Sequence, residues 1–471
     1  MLKNTYTKVL VGLAALVAQA DAFWRLPCAS PVVVQRADPI RDPNAVSTHV
    51  HTVMGSNAFN FTMTYEDTQT AACSTCKAVE DLSSYWVPSL YYHAENGSFV
   101  SVKQSGGALI YYLQRSDPND PNPAEGLIAF PKDFRMVAGI PSNRNYIDTL
   151  EQRAVSFVCL GTEGPATFEL PSNNCPGGLR TQLTMPSCWD GKNLDSLDHK
   201  SHMAYPSGLD NGPCPASHPK RFITIFYEVT WSVDDFKDLW YGDKQPFVFS
   251  TGDPTGYGYH GDFLTGWDIP TLQKAINECN AASGNIEECG AFKLRDDDDM
   301  AACKVLPRVN ETVTGVLPAL PGCNPIESGP GPAGQTSDCR AVTQIGDPIL
   351  PFTDMTQKLG WKYTACAKDP AGQSRTLSDV SFDQPDMTVE KCISLCGDRG
   401  FQHAGLEYRS QCFCGNDIPQ DRMPAKGTLG DCSMTCAGDS SELCGGAALV
   451  SIYTKCTDLS NCENYDGDDV I

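Results

Sequence analysis

Polar and apolar positions alternate along this chain in short runs. Ser98–Lys103, Ala108–Leu113, Arg153–Val158 and Phe222–Trp231 are rich in β-branched and aromatic residues, and Gly, Pro and Asn clusters separate them. Each run predicts a strand. A helical spacing is clearest in Ile269–Ala281, where Leu272, Ala275, Ile276 and Cys279 share a face and Pro270 suits the first turn. Many short strands with one strong helix predict a mainly β protein, with a large sandwich or jelly roll over residues 23–325.

The texture then changes. Asp296–Asp299 is an acidic run without the alternating ligand pattern of a calcium loop, so it reads as a solvated turn. The Gly- and Pro-rich stretch Glu327–Thr336 marks residues 326–355 as a linker. Eight cysteines between Cys366 and Cys444 then predict a small disulfide-rich α+β module over 356–456, followed by an acidic tail at 457–471. Within the module, Thr388 is placed to cap a helix carrying Val389, Cys392, Ile393 and Cys396 on one face.

Composition adds a compartment. Lys3 and Lys8, the apolar run Val9–Ala18 and the small residues of Ala20-Asp21-Ala22 have the form of a secretory signal over residues 1–22. About ten apolar residues fall short of the roughly 20 that a membrane span needs. The 22 cysteines fall in blocks of twelve, eight and two, each even, as disulfides in an oxidising compartment require. Asn60, Asn96 and Asn310 stand in glycosylation triplets. With 57 acidic and 35 basic residues, the formal charge of −22 disfavours nucleic acid and anionic membranes as partners. The expected location is extracellular or cell-wall associated, without a transmembrane anchor.

Two family resemblances carry further expectations. Gly360-Trp-Lys-Tyr363, Cys366, Cys392 and Cys396, Gln411-Cys-Phe-Cys-Gly-Asn416, Cys432, Cys436 and Cys444-Gly-Gly446 resemble a WSC domain. The resemblance implies a disulfide-held fold that binds carbohydrate at fungal walls. His49-Val-His51, Pro186-Ser-Cys-Trp-Asp-Gly-Lys-Asn193, His199-Lys-Ser-His202 and Tyr259-His-Gly-Asp-Phe263 resemble a fungal secreted domain of unknown function, which brings no reaction with it.

Chemistry must therefore come from residues. Seven of the eight histidines lie in the first domain, and His49, His51, His199, His202 and His260 stand in polar, Gly-containing motifs with Asp190, Asp195, Asp198, Asp253 and Asp262 nearby. On a strand, His49 and His51 face one side. Three readings stand open: a hydrogen-bonded network bracing loops, proton transfer, or a divalent metal. For proton transfer on a glycosidic bond, by a hydrolase or a lyase, the candidates are His51, His202, His260, Asp253 and Asp262. For a metal they are His49, His51, His199 and His202. Tyr257 and Tyr259, with Tyr408 in the second module, are candidate sugar platforms, since a ring can stack on the apolar face of a pyranose. The expected partner is a polysaccharide such as β-glucan, chitin or another wall glycan; the alternatives are a non-catalytic matrix protein or a metal-binding secreted protein. Cys73-Ser-Thr-Cys76 lacks a redox βαβ context and reads as structural. A copper oxygenase, whose metal needs an N-terminal histidine, does not fit a mature chain starting at Phe23 or Asp21. No Gly-x-Ser-x-Gly elbow, His-Glu-x-x-His pair or phosphate loop occurs in this region.

Overall fold

A computed structural model describes residues 22–331, 333, 341–370, 372–424 and 430–465. The signal segment expected at 1–22 lies outside them except for Ala22, as does the end of the acidic tail.

The N-terminal domain is built on two five-stranded sheets. Its principal strands are β1 (Phe23–Cys28), β2 (Val33–Gln35), β3 (His51–Gly55), β4 (Ser84–Pro88), β5 (Gln104–Leu113), β6 (Arg135–Gly139), β7 (Val155–Cys159), β8 (Leu179–Thr184), β9 (Thr224–Trp231) and β10 (His260–Leu264). One sheet runs β1-β5-β9-β8-β7 and the other β2-β3-β4-β10-β6, all antiparallel. The two pack face to face, as the sandwich expectation required. Tyr227 of β9 meets Tyr85 of β4 edge-on at 5.9 Å and donates from its hydroxyl to the Asp262 carbonyl at 2.8 Å. Gly261 leaves room for this contact, since a Cβ there would stand 2.7 Å from a Leu183 methyl and 3.2 Å from the Tyr227 ring.

Alternation along β10 sorts its side chains. Gly261 and Phe263 face the sandwich interior, so His260, Asp262 and Leu264 face the other way. That outer face is also covered. Val33, Val53, Trp86, Val137 and Leu264 pack under Ala37, Ile40, Phe59, Phe61 and Val309, contributed by the segments flanking the sheet. Cys73–Cys303 ties this cover down, and Cys28–Cys76 joins β1 to the same loop. Cys73 and Cys76 thus serve two separate bridges and form no redox pair.

The predicted helix is α1 (Ile269–Glu278), started by Asp268, whose side chain accepts from the Thr271 amide, with Pro270 in its first turn. Among the described residues, no helix is long and apolar enough to cross a membrane.

In the C-terminal module, strands β11 (Trp361–Lys368), β12 (Val380–Asp383), β13 (His403–Glu407), β14 (Gln411–Gly415) and β15 (Leu449–Lys455) form one antiparallel sheet in the order β11-β15-β13-β14-β12. Helix α2 (Val389–Gly397) lies against it, capped by Thr388 and burying Val389, Cys392, Ile393 and Cys396. Cys392 bonds Cys412 and Cys396 bonds Cys414. The spacing explains the match: four helical residues rise about 6 Å, and two strand residues on one face span about 6.6 Å. Cys366–Cys432, Cys436–Cys444 and Cys456–Cys462 complete the described bridges of this half.

Not all of residues 326–355 behave as a linker. Val342 and Ile345 pack on the cover of the second sheet, the Gly346 amide donates to Arg308, and the Ile349 amide donates to Pro307. Apolar side chains hidden in a Gly- and Pro-rich stretch hold it to the domain.

Candidate functional site

Strand order brings together histidines that are far apart in sequence. β3 and β10 flank β4, with His51 opposite Pro88 and Asp262 opposite Trp86, so His260 stands level with Pro88 on the far side. Proline has no long side chain to fill the space between the two imidazoles. His49, two residues before His51, falls on the same side, with ring centroids 4.2 Å apart. The His49 and His260 Nε2 atoms are 3.0 Å apart. Asp38, on the covering segment, completes the group; its carboxylate accepts from the Ile40 and Arg41 amides.

All five side chains are buried, with His51 and Asp262 at 0% exposure. Asp38, His49, His260 and Asp262 line an open pocket of about 240 Å³ together with Arg41 and Ser142, and His51 lies behind them, against the His49 ring. Burial sets the charge. It pushes His51 down to about 4 and, with His51 beside it, His260 down to about 3. His49 is driven well below the usual imidazole range by burial and then by its two imidazole neighbours. Asp262 is driven well above the carboxylate range by burial and then by Asp38, which is itself raised by burial. At neutral pH His51 and His260 are therefore uncharged, and burial favours the neutral form of His49 and of Asp262. Such a group can donate a proton from the acid or accept one at an imidazole, and it has the donor types of a metal site. Among the described residues, neither oxygen of Asp262 nor Nε2 of His51 has a protein partner.

Residues 38–267 match the family described as a domain of unknown function, DUF1996, and residues 363–446 match the WSC domain. The chain joins a DUF1996 domain to a WSC domain. The first match begins at Asp38 and includes the whole His/Asp cluster. Among curated relatives, a WSC domain-containing protein of Arthroderma benhamiae is 34% identical over 116 residues, 24% of this chain and 12% of that protein. A putative fungistatic metabolite of Chaetomium globosum is 32% identical over 133 residues, 26% of this chain and 59% of its own length. Kremen protein 2 of Mus musculus is 38% identical over 93 residues, 19% of each chain. The chain thus spans from about an eighth to under two thirds of these relatives.

Other sequence candidates in the DUF1996 domain lie elsewhere or are fully engaged. His202 uses both ring nitrogens, one with Ser196 Oγ at 2.8 Å and one with the Arg135 carbonyl at 2.8 Å, and so braces the loop beside β6. His199 is bonded to Asp195 at 2.8 Å, and its carbonyl accepts from Val137. It reaches the cluster only through the field it exerts on Asp38. Asp253 is buried, accepts from Thr255, Gly256 and Gly258, and lies 3.7 Å from Arg144. Its lone pairs are occupied in shaping the Tyr257 loop, which leaves it unsuited to proton transfer. Tyr259 is 0% exposed, and its hydroxyl accepts from Thr181. Next to an outward His260 it must point inward, so it belongs to the core and offers no face to a sugar.

Tyr257 does reach the surface. Its hydroxyl donates to Glu169, and its ring lies 6.2 Å from Tyr146, which stacks on Phe168 at 5.3 Å. Tyr146 and Phe168 are 40% and 39% exposed. Tyr257 edges a hollow lined by Gly139 and Ile140, while Val137, Pro141 and Ser142 line the His/Asp pocket, so one short segment forms a wall of both. Tyr146, Phe168 and Asp38 were not singled out from sequence. Asp38-Pro39 signals only a turn, and the two rings lie in loops without periodicity.

In the WSC domain, Tyr363 and Tyr453 are core, whereas Tyr408 is 56% exposed at the tip of the β13–β14 hairpin. Asn60, Asn96 and Asn310 are exposed.

Proposed function

We propose that the protein works outside the cell on polysaccharide. The WSC domain attaches it to a wall glycan such as β-glucan or chitin, and the DUF1996 domain acts on a glycan chain at the His/Asp pocket. The observation that carries this reading is the buried cluster at the floor of an open pocket that shares a wall with the hollow beside Tyr146, Phe168 and Tyr257. Stacked, exposed rings suit the apolar faces of sugar units, and the cluster below supplies a proton donor and neutral imidazoles for cleaving a glycosidic bond. Extensive disulfide bonding, exposed glycosylation triplets and the signal-like first 22 residues favour secretion. Tyr408 is the exposed ring available to the WSC domain for sugar stacking. Attachment by one domain raises the local concentration of substrate at the other.

Incubation with insoluble β-glucan, chitin and xylan, followed by sedimentation and a reducing-end assay, tests both halves. Retention with new reducing ends is expected, with Tyr146→Ala/Phe168→Ala losing turnover but not the fold. Retention without new ends on any polymer would leave a non-catalytic matrix protein. That second reading draws on the complete burial of His51 and Asp262.

A further inference from the structure

Hydrogen bonds fix what the cluster offers. A carbonyl oxygen only accepts, so Ala37 holds the His51 proton on Nδ1 and Gly258 holds the His260 proton on Nδ1, each at 3.0 Å. Both rings are left with a lone pair on Nε2; that of His260 faces His49 Nε2 at 3.0 Å, and that of His51 meets no donor among the described residues. Asp262 adds two buried oxygens that no donor among the described residues reaches. A network that only braced loops would pair His51 Nε2 and the Asp262 oxygens too, as happens at Asp253 and His202.

Distances agree. One donor atom each from His49, His51 and His260 lies within 4.8 Å of the others, and the same holds for Asp38, His51 and Asp262. The 3.0 Å between the His49 and His260 Nε2 atoms fits neighbouring nitrogens each bound at about 2.1 Å to one ion and set roughly at a right angle, as a shell of five ligands allows. Carbonyls accepting from Nδ1 are also the outer partners that commonly orient metal-bound imidazoles. We propose that the pocket floor is a divalent transition-metal centre, with His51 central, His49 and His260 on one side and Asp38 and Asp262 on the other. Imidazole with carboxylate suits zinc, iron or manganese. This ligand set differs from the sequence expectation, which had His199 and His202 beside His49 and His51.

The inference concerns the pocket assigned above to glycan, but its test needs no glycan. The full chain, stripped with EDTA, is titrated with Zn²⁺ by calorimetry and with Co²⁺ by visible absorption. One tightly bound equivalent is expected, together with a ligand-field spectrum and a higher melting temperature. Asp262→Asn and His51→Gln should each weaken binding by about 100-fold or more, beyond what outer-partner changes produce. Asp297→Asn/Asp298→Asn, in the exposed acidic run, should bind as wild type. X-ray absorption at the zinc edge of the wild-type protein does not depend on any variant folding, and two or three imidazoles should appear in the shell. An all-oxygen shell, no bound equivalent, or full affinity in folded Asp262→Asn would overturn the proposal. Zinc binding without new reducing ends would remove only the glycan-active reading, and new ends with no ion bound would remove only this one.

Discussion

The two domains place their candidate sites in opposite ways. The DUF1996 sandwich encloses its cluster of five titratable side chains, and the carboxyl of Asp262 has no protein partner among the described residues. The WSC domain, with less core, ties its helix to its sheet by two adjacent disulfides and leaves its sugar candidate, Tyr408, in solvent. A large core tolerates a locally unfavourable group because many apolar contacts offset it. A small module spends its stability on cross-links and keeps its recognition outside.

The sharpest way to break this contrast is to cut a cross-link. Cys392→Ser/Cys412→Ser should cost the WSC domain about 2–5 kcal/mol and melt it well before the sandwich. Calorimetry would then resolve two transitions; one shared transition would mean the domains fold as a unit. Next in size is Asp262→Leu, which removes a buried carboxyl whose oxygens lack protein donors. The metal-free protein should gain on the order of 1–3 kcal/mol in denaturant unfolding, and a loss would show that the carboxyl is bonded after all.

Proton linkage distinguishes the domains more finely. Burial, and then Asp369 beside it, push Glu407 up to about 8, although Arg375 opposes this. A carboxyl raised in the folded state contributes stability that is complete below its unfolded value and is lost as pH rises through the folded one. The WSC transition should therefore fall by several degrees between about pH 5 and pH 9, and Glu407→Gln should flatten the fall. The smallest effect concerns Tyr408, which sits at φ 46° in the left-handed region. Tyr408→Gly should stabilise the hairpin by about 0.5–1 kcal/mol while weakening retention on glycan. A gain in stability with unchanged retention would detach this ring from binding.

Much of this was legible in the chain. Cysteine spacing and the Cys-Phe-Cys-Gly-Asn run marked the WSC domain, and Pro270 with the three- and four-residue apolar spacing marked α1. Period-two alternation placed His49 beside His51. The same rule, applied to Tyr259-His260, would have turned Tyr259 inward; its Gly-rich surroundings gave it the look of an exposed loop. What a single chain does not carry is strand order. That β3 and β10 both border β4 follows from closing the sandwich, and no local pattern around His51 announces His260 as its neighbour. Asp38 arrives on a covering loop, a tertiary event without periodicity. A helical turn would have put His199 and His202 on one face, but His199 sits at φ 59°, and the segment packs beside β6 and not over Pro88.

The pinned connector changes what attachment means. With the Gly346 and Ile349 amides held by Arg308 and Pro307, and with Lys304 and Lys368 reaching Asp431 and Asp298 across the domain boundary, the two halves resemble the jaws of a caliper more than a weight on a string. A flexible tether lets a catalytic head sweep its surroundings. A caliper accepts only a strand whose repeat and direction fit both jaws at once, so polymer geometry would enter selection alongside the chemistry of each sugar.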